Sequence, residues 1–161
     1  MGGLHLVFER DFEFAPVIVW DALLDADLVS GWLAEAVVEP EVGGAYNLRW
    51  VHRVGQPETL GRITALHPLE LLHVDTTTMG LLRFELAETA GGARGTGTRL
   101  VLAVDVEVEP VFAARVKADW LTTLDQLGDL LRGHPVDWAN WERDRQESWS
   151  QHLEDAAEGA R

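Results

Sequence analysis

The stretch that most constrains this chain is residues 110–132, where Phe112, Val116, Trp120, Leu124, Leu127 and Leu131 recur at spacings of three or four. That period places apolar side chains on one face of an α-helix, and Pro110 before it and Gly133-His134-Pro135 after it are start and stop signals. Immediately upstream, residues 98–108 alternate Leu100, Leu102, Val104, Val106 and Val108 against Val101, Ala103, Asp105 and Glu107. A strand with one apolar face followed by a helix with one apolar stripe predicts helix on sheet, and Ala114, Ala118 and Gly128 are small enough for close approach. The expected fold class is therefore α+β.

The rest of the chain supplies more strands. Residues 4–14 carry Leu4, Leu6, Phe8, Phe12 and Phe14 on even positions, and only Arg10 breaks the inward phase. Either a bulge turns Arg10 outward, or its guanidinium anchors a ligand carboxylate. Pro16 opens a short helix bearing Val19, Trp20, Leu23 and Leu24. A second short helix follows, with Asp25 or Asp27 near its cap and Leu28 and Trp32 four residues apart on one side. Gly43-Gly44 turns into a strand over residues 45–52, and further strands read at 59–66, 71–77 and 81–88. The short connections make these strands antiparallel. The glycine-rich run 91–97 lacks a following helix and a Gly-Lys-Ser/Thr ending, so it reads as a hairpin turn rather than a phosphate loop.

The residues then meet a known pattern. Phe14-Ala15-Pro16 running into Val19-Trp20-Asp21-Ala22-Leu23, with Asp25, Leu28 and Trp32, resembles the START-like superfamily with its helix-grip fold. Val42-Gly43-Gly44, Gly61-Arg62-Ile63, His67-Pro68, Leu71-Leu72 and Gly97-Thr98-Arg99-Leu100 are similar to one branch of it, related to the C-terminal domain of the activator of the 90-kDa heat-shock protein ATPase. The resemblance implies a curved antiparallel sheet of about seven strands around a long C-terminal helix. It implies a START-like domain over 1–133, with residues 134–161 as a Trp-rich helical extension rather than a separate domain. The superfamily holds lipid carriers, hormone receptors, polyketide cyclases and many bacterial members of unknown role, so fold alone leaves function open. The domain that precedes this one in the chaperone activators has no counterpart in the sequence, and chaperone activation is not expected.

In that fold a ligand lies between the concave sheet face and the long helix. The candidate ligand contacts are therefore the inward positions Trp32, Tyr46, Leu48, Trp50, His52, Val74, Phe84, Leu102, Trp120 and Leu124, with Arg10 as a polar anchor. Each of these can equally fill the core. Trp50 and His52 could orient a ligand from one strand face, or His52 could sit in water at the strand's end. No carboxylate falls on the inward faces, and His73 and Asp75 point outward by phase, so the chain shows no acid–base pair and no nucleophile beside a base. The expected role is binding of a small hydrophobic or aromatic molecule. The alternatives are a cyclase, dehydratase or hydrolase using His52, Tyr46 and Arg10, or a stress- or chaperone-related interaction module.

Charge and composition narrow the partners. The 161 residues hold 27 acidic and 13 basic side chains, a net charge of −14, which repels nucleic acid. There is no cysteine, and the six histidines lack metal-ligand spacing, so no metal or cofactor is expected. The first residues show neither a signal peptide nor an apolar span, and Leu6 stands where myristoylation wants Ser or Thr, so the expected location is cytoplasmic. In the tail, Asp137 can cap a helix on which Trp138, Trp141, Arg145, Trp149 and His152 share a stripe roughly 80° wide. Three tryptophans on one stripe predict an interface, either with the chain's own domain or with a second copy in a homodimer.

Overall fold

The structure, a computed structural model, describes residues 2–53, 55–91 and 95–159. Five antiparallel strands form the main sheet in the order β1-β7-β6-β5-β4: β1 Gly2–Phe12, β4 Gly61–His67, β5 Leu71–Thr76, β6 Leu81–Ala90 and β7 Thr96–Val108. A two-stranded ribbon, β2 Glu35–Val38 with β3 Tyr46–Arg49, continues the layer through the bridges Ala45↔Arg62 and Leu48↔Thr59. The seven strands together hold the long helix of the helix-grip fold.

The alternation in β7 explains its central place. Leu100, Leu102 and Val104 are at most 1% exposed and lie opposite Leu86, Phe84 and Leu82 of β6 and Arg10, Phe8 and Leu6 of β1. Burying such a row contributes on the order of 2 kcal/mol per side chain. The β1–β7 register runs unbroken from Gly2↔Val108 to Phe12↔Thr98, so no bulge turns Arg10 outward. Arg10 keeps the inward phase and donates to Asp125 on the helix at 2.7 Å, which settles its charge within the protein instead of leaving it for a ligand.

After β1, α1 (Pro16–Leu24) buries Val19, Trp20, Ala22 and Leu23, and α2 (Ala26–Val29) is capped by Asp25 accepting from the Asp27 amide. α2 ends at Val29, so Leu28 and Trp32 do not share a helical face: Leu28 is 36% exposed and Trp32 is fully buried. The long helix α3 runs from Ala113 to Leu131. Pro110–Phe112 form a single 3₁₀ turn before it, which leaves Phe112 exposed and starts the buried stripe later than its spacing suggests. At Gly80, between β5 and β6, φ is +76° and an added Cβ would lie 2.0 Å from the Asp105 carbonyl oxygen, so only glycine closes this turn. The glycine-rich hairpin reading of 91–97 falls partly outside the described residues; the flanking Ala90↔Thr96 pair joins β6 to β7.

The extension forms a 3₁₀ turn, Trp138–Asn140, and then α4, Trp141–Gly159, which lies along α3. Asp137 does not cap it, because its carboxylate is taken by the Asn140 side chain. The predicted stripe faces inward onto its own chain. Trp138 Nε1 donates to the Ser30 carbonyl, Trp141 Nε1 to Gln126 Oε1, Arg145 to Asp129, Trp149 Nε1 to Asp119, and His152 Nε2 lies 2.7 Å from Asp125. The three indole N–H groups are thus engaged within the chain, on the face that a homodimer through Trp138, Trp141 and Trp149 would need.

The acidic side chains that fall off the apolar stripe of α3 receive these donors, and each also holds a group from the body of the domain. Asp119 takes Arg53 and Trp149, Asp125 takes Arg10 and His152, and Asp129 takes Arg132 and Arg145. Burial raises the Asp129 carboxyl, but the hydrogen bonds from Arg145 and Arg132 outweigh it and hold the group below the ordinary carboxylate range.

Candidate functional site

The grip between sheet and helix is packed solid along one half and open along the other. Around the C-terminal half of α3, Leu124 and Leu127 are 1% and 0% exposed, and Phe84, Leu102, Leu48 and Tyr46 are fully buried. Toward the N-terminal half, beside Val106 and Val108 at the end of β7, a cavity of about 140 Å³ remains. Its apolar wall is Leu33, Trp50, Met79, Val106, Val116 and Trp120; Val108 and Thr123 complete it, and the exposed Gln56 and Thr78 flank its mouth.

One polar edge is built by Arg53 and Asp119. The guanidinium donates to Asp119 Oδ1 at 3.2 Å and lies 5.9 Å above the Trp50 ring, while Trp149 Nε1 donates to the same carboxylate oxygen at 2.7 Å. Trp50 Nε1 is held by Thr59 Oγ1 at 2.9 Å, and Thr59 by Thr78 at 2.5 Å, so the indole that walls the cavity is fixed by a chain of hydroxyls. A fixed aromatic wall costs a ligand less ordering entropy than a mobile one.

Behind this edge lies a second, smaller chamber of about 20 Å³ that shares Leu33, Trp50, Arg53, Asp119 and Thr123 with the cavity and adds His52, Thr122, Gln126, Trp141 and Trp149. β3 ends at Arg49, so Trp50 and His52 do not share a strand face. The chain turns there, and His52 stacks on Trp138 and meets Trp141 at a tilt, with both ring centroids 4.9 Å away. His52 is thus half-buried at the turn after the strand rather than fully in water: burial, aided by the Arg53 charge, pushes its pKa down to about 4 and keeps the ring neutral.

The sequence-derived candidates divide accordingly. Trp50 and Trp120 line the cavity, and His52 lines the small chamber. Trp32, Tyr46, Leu48, Val74, Phe84, Leu102 and Leu124 are at most 1% exposed and fill the core away from the cavity wall. Trp32 Nε1 donates to the Ala22 carbonyl, and Tyr46 Oη donates to the Leu23 carbonyl at 2.7 Å; burial pushes the phenol well above its ordinary pKa. Arg10 is paired with Asp125. His52, Tyr46 and Arg10 therefore do not converge on one substrate position, which removes that catalytic arrangement.

Val106 and Val116 belong to the apolar strand face and helix stripe read from the sequence, which does not single them out as ligand contacts, whereas Leu33, Met79 and the Arg53–Asp119 pair enter the site without a local sequence signal. Among the described residues no group of three or more His, Asp or Glu side chains could hold a metal ion. No helix among them is long and apolar enough to cross a membrane.

Comparison with known proteins agrees with this architecture. Protein MLL2253 from Mesorhizobium loti superposes with a TM-score of 0.68 at 20% identity, over 83% of this chain and 100% of that one. EF2215 from Enterococcus faecalis, a conserved protein of unknown function, gives 0.68 at 19%, over 97% of this chain and 86% of that one. CalU16 from Micromonospora echinospora gives 0.61 at 22%, over 92% and 88%. These likenesses establish the fold. Among curated proteins, none matches the sequence. Residues 13–132 match the family described as activator of Hsp90 ATPase homolog 1-like protein, and the chain belongs to that family, in the START-like superfamily.

Proposed function

We propose that the protein binds one small apolar or aromatic molecule in the cavity between the N-terminal half of α3 and the sheet. The observation that carries this reading is an apolar space of about 140 Å³ walled by Trp50, Met79, Val106, Val116 and Trp120 and open at one side. A buried apolar cavity of about 150 Å³ is enough for benzene in another protein, so a single ring fits and a substituent can extend through the mouth. Two tryptophans offer ring faces for offset or edge-to-face contact, and Met79 supplies an adaptable thioether. The polar edge is internally neutralised by the Arg53–Asp119 pair, and a neutral ligand leaves that pair intact.

The test is titration of the full chain with toluene, followed through the indole N–H resonances. The expected result is saturable shifts at Trp50 and Trp120 that Val116→Phe abolishes by filling the cavity. Shifts that stay linear with concentration, or that survive Val116→Phe unchanged, overturn the reading.

A further inference from the structure

The small chamber behind the Arg53–Asp119 pair contains a feature that folding alone does not explain. Thr122 is 2% exposed and lines this chamber, and its Oγ1 has no hydrogen-bond partner among the described residues. A threonine inside a helix ordinarily returns its hydroxyl to the carbonyl four residues back, and an orphaned buried hydroxyl is costly. The other polar groups around it are already engaged. Gln126 donates to the Trp32 carbonyl and accepts from Trp141, and Asp119 accepts from Arg53 and Trp149. Among the described residues two exceptions remain: the half-buried Thr123, whose hydroxyl makes no hydrogen bond, and His52, which makes ring contacts with Trp138 and Trp141 and no hydrogen bond.

A free hydroxyl and an imidazole without a hydrogen bond thus face a space of about 20 Å³. That space accommodates about one oxygen atom, since a site for a single water needs roughly 10–15 Å³. It shares five wall residues with the apolar cavity, so the two spaces lie side by side.

Resting on the proposed ligand-binding function, we infer that the ligand is a single-ring molecule bearing one neutral hydroxyl, whose oxygen enters this chamber and is bound by Thr122 Oγ1, with His52 beside it. A hydroxyl both donates and accepts, and so can satisfy Thr122 and a neutral imidazole together. A carboxylate suits the place less well, because it would have to displace Asp119 from Arg53 in a protein of net charge −14. Trp141 and Trp149 close the chamber from the extension. Residues 134–161, beyond the family match, therefore supply part of the selectivity for the hydroxyl.

The experiment compares phenol and toluene as ligands of the full chain, wild type, Thr122→Val and Thr122→Ser. Valine keeps the shape and deletes an unpartnered hydroxyl, so the ligand-free Thr122→Val protein should melt at or above the wild-type temperature. Phenol affinity should fall about tenfold in Thr122→Val and recover in Thr122→Ser, while toluene affinity stays within twofold throughout. Toluene binding with phenol affinity unchanged by Thr122→Val overturns this inference alone and marks the chamber as a water site. Binding of neither compound to the wild type overturns the cavity reading and this inference together.

Discussion

Replacing Gln126 by leucine changes little in volume but removes a buried tether. Gln126 is 2% exposed; its Nε2 donates to the Trp32 carbonyl at 2.7 Å and its Oε1 accepts from Trp141 Nε1 at 2.8 Å. One amide thus joins the loop after α2, the helix α3 and the extension. In Gln126→Leu the Trp32 carbonyl is orphaned in the interior, which costs about 1–3 kcal/mol, and the half-buried Trp141 indole loses its partner for about another 1 kcal/mol. Leucine returns roughly 1 kcal/mol of apolar burial, leaving a net loss of about 2 kcal/mol.

For a chain of this length that corresponds to a melting temperature lower by about 4–8 °C. Urea unfolding followed by tryptophan fluorescence measures the loss directly. Gln126→Glu provides a second reading, since it keeps an acceptor for Trp141 but turns a carboxylate toward the Trp32 carbonyl. It should be less stable than Gln126→Leu at neutral pH and recover as acid protonates the new side chain. A Gln126→Leu midpoint within 1 °C of wild type would refute the account of how the extension is fastened.

Further outcomes follow from the same geometry. His52 stays neutral in the folded chain down to about pH 4 but protonates near 6.5 when unfolded. The unfolded state therefore binds more protons between those values, and falling pH should remove about 1–2 kcal/mol of stability across that window, discounted for partial exposure. His52→Phe should abolish this component in urea titrations at stepped pH; an unchanged slope would show that the ring is not shielded. The chain's only tyrosine, Tyr46, should give no tyrosinate absorbance until alkaline unfolding, and Tyr46→Phe, which orphans the Leu23 carbonyl, should cost about 1–2 kcal/mol. Gly80→Ala should cost several kcal/mol by calorimetry because the new Cβ meets the Asp105 carbonyl, whereas Gly43→Ala, at φ +86° with nothing within 4 Å, should cost only about 1 kcal/mol. Equal effects at the two glycines would contradict the packing of the β5–β6 turn.

The sheet and the long helix were legible because their signals are periodic and local. Residues 98–108 alternate cleanly, and the stripe from Val116 to Leu131 repeats cleanly, so β7 and α3 could be read from spacing alone. The aromatic stripe of the tail was legible in the same way, since four of its five residues bond to α3 and the fifth, Trp138, to Ser30 at the end of α2. β2 left no comparable mark: it is four residues long, and Val37 is 60% exposed.

The cavity was hardest to read because nothing in period two or period 3.6 distinguishes a side chain that fills a core from one that lines a void. Leu102 and Val106 share the same phase of one strand, yet Leu102 is fully buried and Val106 is at the cavity. What separates them is which part of α3 lies across from each, a fact of tertiary geometry. Arg10 shows the converse, since its break in the apolar phase was visible, but its partner Asp125 lies 115 residues away.

The central claim is that the grip between α3 and the sheet opens at one end into a space that admits a small apolar guest. Xenon, apolar and close to a small ring in thickness, tests this without any choice of ligand. In crystals pressurised with xenon, an anomalous peak should stand among Trp50, Met79, Val106, Val116 and Trp120. Finding that region closed by rotated side chains, with xenon absent or bound only elsewhere, would contradict the account.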